Sequence, residues 1–366
     1  RRSSPPYLRG VSRAMIPHCR PVFRGREREY VEECFRTGWI VTGRFVEAFE
    51  EALAKWLNRA YVITVNSGTT ALTLALRAVG VHSGTGVLLP ALTFTATANA
   101  VIANEARPIY CDVERDTWTL DLVLVRDALW HGRYDRPISA VLPVHLYGVA
   151  ARLTIAPDTV PVPFVGPTVR DLRWPPIVED AAAALGAIPS DSKGLTCVSF
   201  NANKIVTAVG GGAIGVEDRA LAARLRAWSR HTSDEDGFMG GEANLRLTNL
   251  QAAVGLAQME QLDENLATKQ RIAARYTAEL AGAEWQPQAG SSTHWQYGGL
   301  CRDASGLVAH LKAAGIESRR LWRPLAHFPV ANDLYRRGVL LPCSVDLTEQ
   351  DQETVIREVR RWMSSA

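Results

Sequence analysis

Lys204 is the only charged residue between Lys193 and Glu217, in a stretch otherwise made of apolar, small polar and glycine residues. Neighbours of that kind offer little polar surface, so the ammonium would be partly desolvated and easier to deprotonate. A lysine that forms a Schiff base with a carbonyl needs that property. A solvated lysine on a glycine-rich loop is the plainer alternative. Asp180 ends the apolar run Pro176-Ile177-Val178-Glu179 and precedes the small residues Ala181 to Ala184. Its carboxylate would project at the carboxyl edge of a parallel sheet, where α/β sheets bind ligands. Its plainer role is to cap a helix. Glu179 would point to the opposite face.

Val65-Asn66-Ser67-Gly68-Thr69-Thr70 falls between a strand and a helix, where free N–H groups and the positive end of the helix dipole favour an anion such as phosphate. Ser67 or Thr69 could instead merely cap the helix while Gly68 makes the turn. Ser199, five residues before Lys204, could place a hydroxyl on the same phosphate, or be an ordinary strand-end serine. Phe94 begins a helix after a strand and could stack on a flat ring, although most such aromatics are core. His145 also ends a strand; a lone histidine among apolar residues is more often a hydrogen-bonded core residue, so no catalytic role is expected of it. An amine, a carboxylate for a ring nitrogen, a phosphate seat and a stacking face are what pyridoxal 5'-phosphate (PLP) requires.

The elements that must position these groups alternate between helical and strand patterns from about residue 26, the mark of an α/β domain with a mostly parallel sheet. Phe45, Phe49, Leu53 and Trp56 share a helix face, and Tyr61 to Val65 reads as a buried strand. A helix is expected over 69–79, stopped by Gly80, and a strand over 87–89, ended by Pro90. Further strands are expected over 108–113, 138–145, 177–179, 197–200 and 213–216. The proline-rich stretch 154–176 reads as a loop. After Asp218 the chain turns mainly helical, with Leu250, Ala253, Val254 and Ala257 as an apolar stripe. A smaller lobe is expected from about Ser291, with a strand over 294–301, a helix over 304–314 and a closing helix over 348–363.

With 366 residues and 47% hydrophobic content, the chain can bury one large core with a smaller lobe attached. Lys and Arg number 41 against 38 Asp and Glu, a net charge of +3 that gives no basic footprint for nucleic acid. The six cysteines are scattered, with no metal-ligand spacing, which suits a reducing, cytoplasmic setting and no metal. No apolar run reaches the roughly 18 to 20 residues of a membrane span. Residues 1–14 are rich in arginine and serine and lack acids, so they resemble a transit peptide; an upstream extension before Met15 is the preferred reading.

Taken in order, these segments resemble the sugar aminotransferases of the DegT/DnrJ/EryC1/StrS family from about Met15 to the C-terminus. The resemblance is carried by Ile16-Pro17, Arg20-Pro21, Thr37-Gly38-Trp39, Ser67-Gly68-Thr69, Pro143-Val144-His145-Leu146-Tyr147-Gly148, Glu179-Asp180-Ala181-Ala182 and Ser199-Phe200-Asn201-Ala202-Asn203-Lys204. Asn244-Leu245-Arg246 through Ala253, Glu317-Ser318-Arg319, Leu321-Trp322, Pro324 and Leu341-Pro342 extend it. It implies an α/β fold-type-I PLP enzyme, with a large domain on a mostly parallel mixed sheet (15–245), then a linking helix and small C-terminal α/β lobe (246–366). By resemblance Lys204 joins the cofactor covalently and shuttles the proton, and Asp180 pairs with the pyridinium. Phe94 stacks on the ring, while Gly68, Thr69, Ser199 and the partner subunit's Asn244 hold the phosphate. A homodimer with shared sites follows. The implied reaction moves an amino group from an amino acid, glutamate, to a nucleotide-linked keto sugar, with 4-keto-6-deoxy sugars the nearest match, in ping-pong order.

Three departures mark this chain. Ala183 stands where members usually carry Gln, His or Glu beside the cofactor's phenolic oxygen, the loop 149–178 is long and proline-rich, and the segment 186–199 is short. A dehydratase of this fold resembles the present chain with histidine in place of Lys204. A cyclitol aminotransferase would keep every cofactor residue, and a non-catalytic regulatory relative would keep the fold.

Overall fold

In the computed structural model, residues 15–131, 134–153, 174–188, 192, 194–230, 243–280, 284–285 and 292–365 are described. The expectations for residues 1–14 and for most of the loop 154–176 lie outside them. Seven short apolar runs form strands: β1 (Tyr61–Val65), β2 (Gly86–Pro90), β3 (Arg107–Cys111), β4 (Ile138–Val141), β5 (Val178–Asp180), β6 (Leu195–Ser199) and β7 (Gly212–Val216). β3, β2 and β4 pair in parallel, as do β5 and β6. Parallel bridges Val141–Ile177 and Val144–Asp180 join the two groups. β7 runs antiparallel between β6 and β1, which makes the sheet mixed but mostly parallel, as expected.

Both faces of this sheet are covered, so its inner strands β2 and β7 are buried throughout rather than alternating. Successive residues of β1 show it: Val62 joins the core that holds Phe45, Phe49 and Leu53, and Ile63 joins the core that holds Leu76, Leu89 and Ile214. The helices are α1 (Glu27–Thr37), α2 (Arg44–Leu57), α3 (Gly68–Ala78), α4 (Thr95–Ile102), α5 (Leu122–Trp130), α6 (Arg219–Arg230), α7 (Asn249–Met259) and α8 (Leu262–Glu279). The apolar stripe of α2 buries Phe45, Phe49, Leu53 and Leu57, each contributing about 1.5–3 kcal/mol. α7 starts on a capping box between Thr248 and Gln251 and lies so close to α2 that a Cβ at Gly255 would come within 2.6 Å of the Phe49 ring.

The C-terminal part builds a second sheet from β8 (Glu284–Trp285), β9 (Tyr297–Leu300), β10 (Arg319–Arg320) and β11 (Gly338–Leu341), in the order β10-β11-β9-β8. It is accompanied by α9 (Ala304–Ala313), α10 (Pro329–Arg337) and α11 (Glu349–Ser365). Two expected strands are shorter than anticipated. The run 138–145 leaves the ladder after Val141, because Pro143 has no N–H to donate; its carbonyl instead accepts from Asp180 N, and His145 N donates to Asp180 O. The run 294–301 pairs only from Tyr297, because His294 takes a left-handed backbone (φ 45°).

Candidate active site

The carboxyl ends of β1, β5 and β6 meet the loops of the second sheet around a cavity of about 730 Å³. Gly68, Thr69, Phe94, Asp180, Ser199 and Lys204 all line it. Asn244 does not; it is exposed, its carbonyl accepting from Asn66 Nδ2 at 3.5 Å and its Oδ1 from Arg246 Nε at 2.9 Å.

Ser67 caps α3, its hydroxyl accepting from Thr70 N at 3.0 Å. The N–H groups of Gly68 and Thr69, in the first helical turn, have no acceptor inside the helix and can take an anion. Gly68 is there for close approach rather than for a turn. A Cβ on it would sit 2.7 Å from Ser199 Cβ and 3.1 Å from Ser199 Oγ, so the helix tip and the end of β6 touch.

Asp180 is buried, 5% exposed, at the end of β5. Its Oδ2 accepts from Thr97 Oγ1 at 2.7 Å and its Oδ1 from Ala182 N at 3.1 Å. Thr93 Oγ1 lies 2.7 Å from Thr97 Oγ1 and extends the chain of hydroxyls. No helix follows, so Asp180 is not a helix cap. Glu179 points away into a buried network with His145 Nε2 at 3.1 Å, Ser192 Oγ and, at 3.9 Å, Arg59 Nη2. The other nitrogen of His145, Nδ1, accepts from Ala151 N at 2.9 Å. Both ring nitrogens are thus occupied, and the network ties down the strand that carries Asp180.

Lys204 is half-buried, and burial holds its amine down at about 8, a fall that the Asp180 carboxylate partly offsets. An amine so placed is neutral often enough near neutral pH to act as nucleophile and base. Its Nζ lies 3.8 Å from the centre of the Trp295 ring. Phe94 precedes α4 and remains 52% exposed at the cavity, an unusual state for a large aromatic. It leans on Trp322 (5.2 Å between centroids), which packs on Tyr147 (4.7 Å); Tyr147 Oη accepts from Trp322 N at 2.8 Å. Burial and the charges of Asp180 and Glu179 push the Cys197 thiol well above its ordinary range, so it is no nucleophile.

The sequence assigns no role at the site to Thr97, Trp295, Trp322 or Tyr147, the last two appearing only within the motifs of the resemblance. Thr97 sits three residues after Phe94 in α4, a weak signal, and the others reach the cavity from loops whose course the sequence does not reveal. Ala183 also lines the cavity, its carbonyl accepting from Thr293 Oγ1 at 3.0 Å. Gln296, on the same cavity, has a buried Oε1 without a partner among the described residues.

The model of the DegT/DnrJ/EryC1/StrS aminotransferase family matches residues 22–360. The chain belongs to this family. Among curated members, it is 33% identical to a putative pyridoxal phosphate-dependent aminotransferase, EpsN, of Bacillus subtilis, over 94% of this chain and 97% of that one. It is 35% identical to a GDP-perosamine synthase of Caulobacter vibrioides, over 92% and 95%. Among solved structures, a family aminotransferase from Brucella abortus is similar at 26% identity and a TM-score of 0.80, over 92% and 95% of the two chains. The sugar aminotransferase CalS13 of Micromonospora echinospora is similar at 25% identity and 0.81, over 95% and 100%. The fold-type-I architecture that the resemblance implied is the one observed.

The cavity of this DegT/DnrJ/EryC1/StrS aminotransferase fits PLP in four of its chemical features, while Ala183 offers the phenolic oxygen no polar side chain. The α3 tip and Ser199 match a phosphate, buried Asp180 a pyridinium, exposed Phe94 a ring face, and the half-buried amine of Lys204 an aldehyde. The enzyme is a PLP-dependent aminotransferase. Among the described residues no helix is long and apolar enough to cross a membrane.

Proposed function

We propose that this enzyme moves an amino group from an amino acid, L-glutamate, to a nucleotide-linked keto sugar, a 4-keto-6-deoxy sugar. The observation that carries the reading is the convergence of Lys204, Asp180, Phe94, Ser199 and the α3 tip on one cavity. The cavity, about 730 Å³, has room for a substrate larger than an amino acid beside the cofactor, and Arg319 brings a cation to its lining. The perosamine synthase and sugar aminotransferase among the relatives support a sugar acceptor.

PLP, once bound, supplies an aldehyde that captures amino nitrogen and a ring that withdraws electrons from the adjoining carbon. In this reading Lys204 Nζ holds the aldehyde until the amino acid displaces it. The freed amine then moves the proton from the donor's Cα to the carbon that bore the aldehyde and, in the second half-reaction, carries one from there to the sugar carbon. Asp180 keeps the pyridine nitrogen protonated, oriented by Thr97 and the Ala182 N–H. Phe94 fixes the ring plane, and the N–H groups of Gly68 and Thr69 with the Ser199 hydroxyl bind the phosphate. The keto acid leaves before the sugar enters, giving ping-pong order. The partner subunit's Asn244 completes the phosphate site of a cytoplasmic homodimer, and the large domain spans 15–245, with the rest forming the linking helix and small lobe.

The test is to incubate the protein with PLP, glutamate and a panel of nucleotide-linked keto sugars and keto-cyclitols. Amination of a nucleotide sugar is expected. Amination of cyclitols alone would make it a cyclitol aminotransferase, and none despite bound cofactor would favour a regulatory relative.

A further inference from the structure

Trp295 is pinned at three points. Its N–H donates to Thr293 Oγ1 at 3.2 Å, its carbonyl accepts from Lys269 Nζ at 3.0 Å, and its indole Nε1–H donates to Asn203 O at 2.6 Å. Lys269 is only 3% exposed, and its ammonium is satisfied by the carbonyls of Trp295 and Cys343 rather than by a carboxylate. A buried cation held by neutral acceptors is a costly way to anchor a loop, and here the anchored group is one aromatic ring. That ring is 2% exposed, and Lys204 Nζ lies 3.8 Å from its centre. Among the described residues Nζ makes no hydrogen bond and no ion pair within 4.0 Å; the Asp180 carboxylate acts on it at longer range, and the indole face is the contact observed.

We propose that the indole face of Trp295 is the resting place of the Lys204 ammonium whenever the amine is not joined to the cofactor. Trp295 is then a positioning residue for the proton transfers made by Lys204. A cation over an indole is attracted by the ring quadrupole, and a neutral amine is not. The face therefore favours the state in which Nζ holds the proton, and it releases the amine once the proton is given up. It also keeps the charged amine beside the reacting centre rather than out in the open cavity. Lys269, Asn203 and Thr293 serve this function by holding the ring. The inference rests on Lys204 acting as proposed above.

The test uses the full chain freed of cofactor and reductively methylated with ¹³C-formaldehyde. The chain has five lysines, Lys55, Lys193, Lys204, Lys269 and Lys312, so the carbon–proton spectrum is simple. One methyl signal should be displaced upfield by the indole ring current and be missing from Lys204→Arg. In Trp295→Leu it should return to the position of the solvated lysines, and its titration midpoint should fall by roughly one pH unit. Trp295→Phe should keep part of both effects. A Lys204 signal already at the solvated position in the unaltered chain overturns the inference without any variant, as does one that Trp295→Leu does not move. Failure of the underlying reading looks different: Lys204→Arg would bind PLP covalently as well as the unaltered chain does, whatever the methyl spectrum shows.

Discussion

Thr97 and Asp180, 83 positions apart in the chain, meet through a 2.7 Å hydrogen bond from hydroxyl to carboxylate. The bond fixes Asp180, among the described residues the one buried carboxylate that lines the cavity, and it links α4, which follows Phe94, to β5. Phe94 and Asp180, the proposed stacking face and pyridinium partner, are therefore held in one frame.

Thr97→Val keeps the shape of this side chain and removes its donor. A hydrogen bond to a charged group contributes about 1.5–3 kcal/mol, so PLP affinity should fall by roughly 10- to 100-fold, while Thr97→Ser should stay close to the unaltered enzyme. Cofactor titration by fluorescence quenching would show it. Equal affinities in all three proteins would remove Thr97 from the site.

Gly68→Ala should weaken cofactor binding, because the new Cβ would meet Ser199 Cβ at 2.7 Å and push the helix tip off β6. Overpacking of this kind costs about 1–3 kcal/mol. Ser199→Ala keeps the offending Cβ and should not rescue the variant, whereas Ser199→Gly should recover the lost stability though not the lost hydroxyl. Thermal melts and cofactor titrations of the four proteins separate the two effects.

Much of the frame is readable from the sequence, for physical reasons. Val87-Leu88-Leu89 and Tyr61 to Val65 announce themselves because a strand covered on both faces is a short apolar run bounded by turn residues. Lys204 and Asp180 are legible because a charge among small apolar residues is anomalous. What stays hidden is pairing across distance: no local pattern brings Thr97 to Asp180, Trp295 under Lys204, or Tyr147 Oη to the N–H of Trp322. β10 is two arginines long, and the left-handed backbone of His294 breaks a strand that its neighbours favour; both are tertiary outcomes.

Stability of the cofactor-free chain should depend on pH through Lys204. Its amine titrates at about 8 in the folded chain against 10.5 ordinarily, so between these values the unfolded chain binds more protons and stability rises with pH. Below about 8 the amine is charged in both states and its burial opposes folding in full. Lys204→Met should accordingly be the more stable protein below that point, with the gap narrowing as pH approaches 10.5. Urea midpoints measured across this range check it, and a constant gap contradicts it.

Asn244 is exposed and does not line the cavity of its own chain, as its proposed place at a partner's phosphate site requires. Lys204→Ala and Asn244→Ala should each be inactive as homodimers. Unfolding and refolding them together should restore activity, because half the sites of a mixed dimer carry both native residues. No recovery, with mixed dimers present by mass spectrometry, would place Asn244 outside the shared site.

Borohydride reduction of the PLP-loaded protein shows whether Lys204 carries the cofactor. Reduction makes the link permanent, and peptide mass mapping then locates it. One pyridoxyl group is expected, on the peptide containing Lys204, and its loss when glutamate is added before reduction. A pyridoxyl group on Lys269 or any other lysine, or none in protein that nevertheless aminates its substrate, would contradict it.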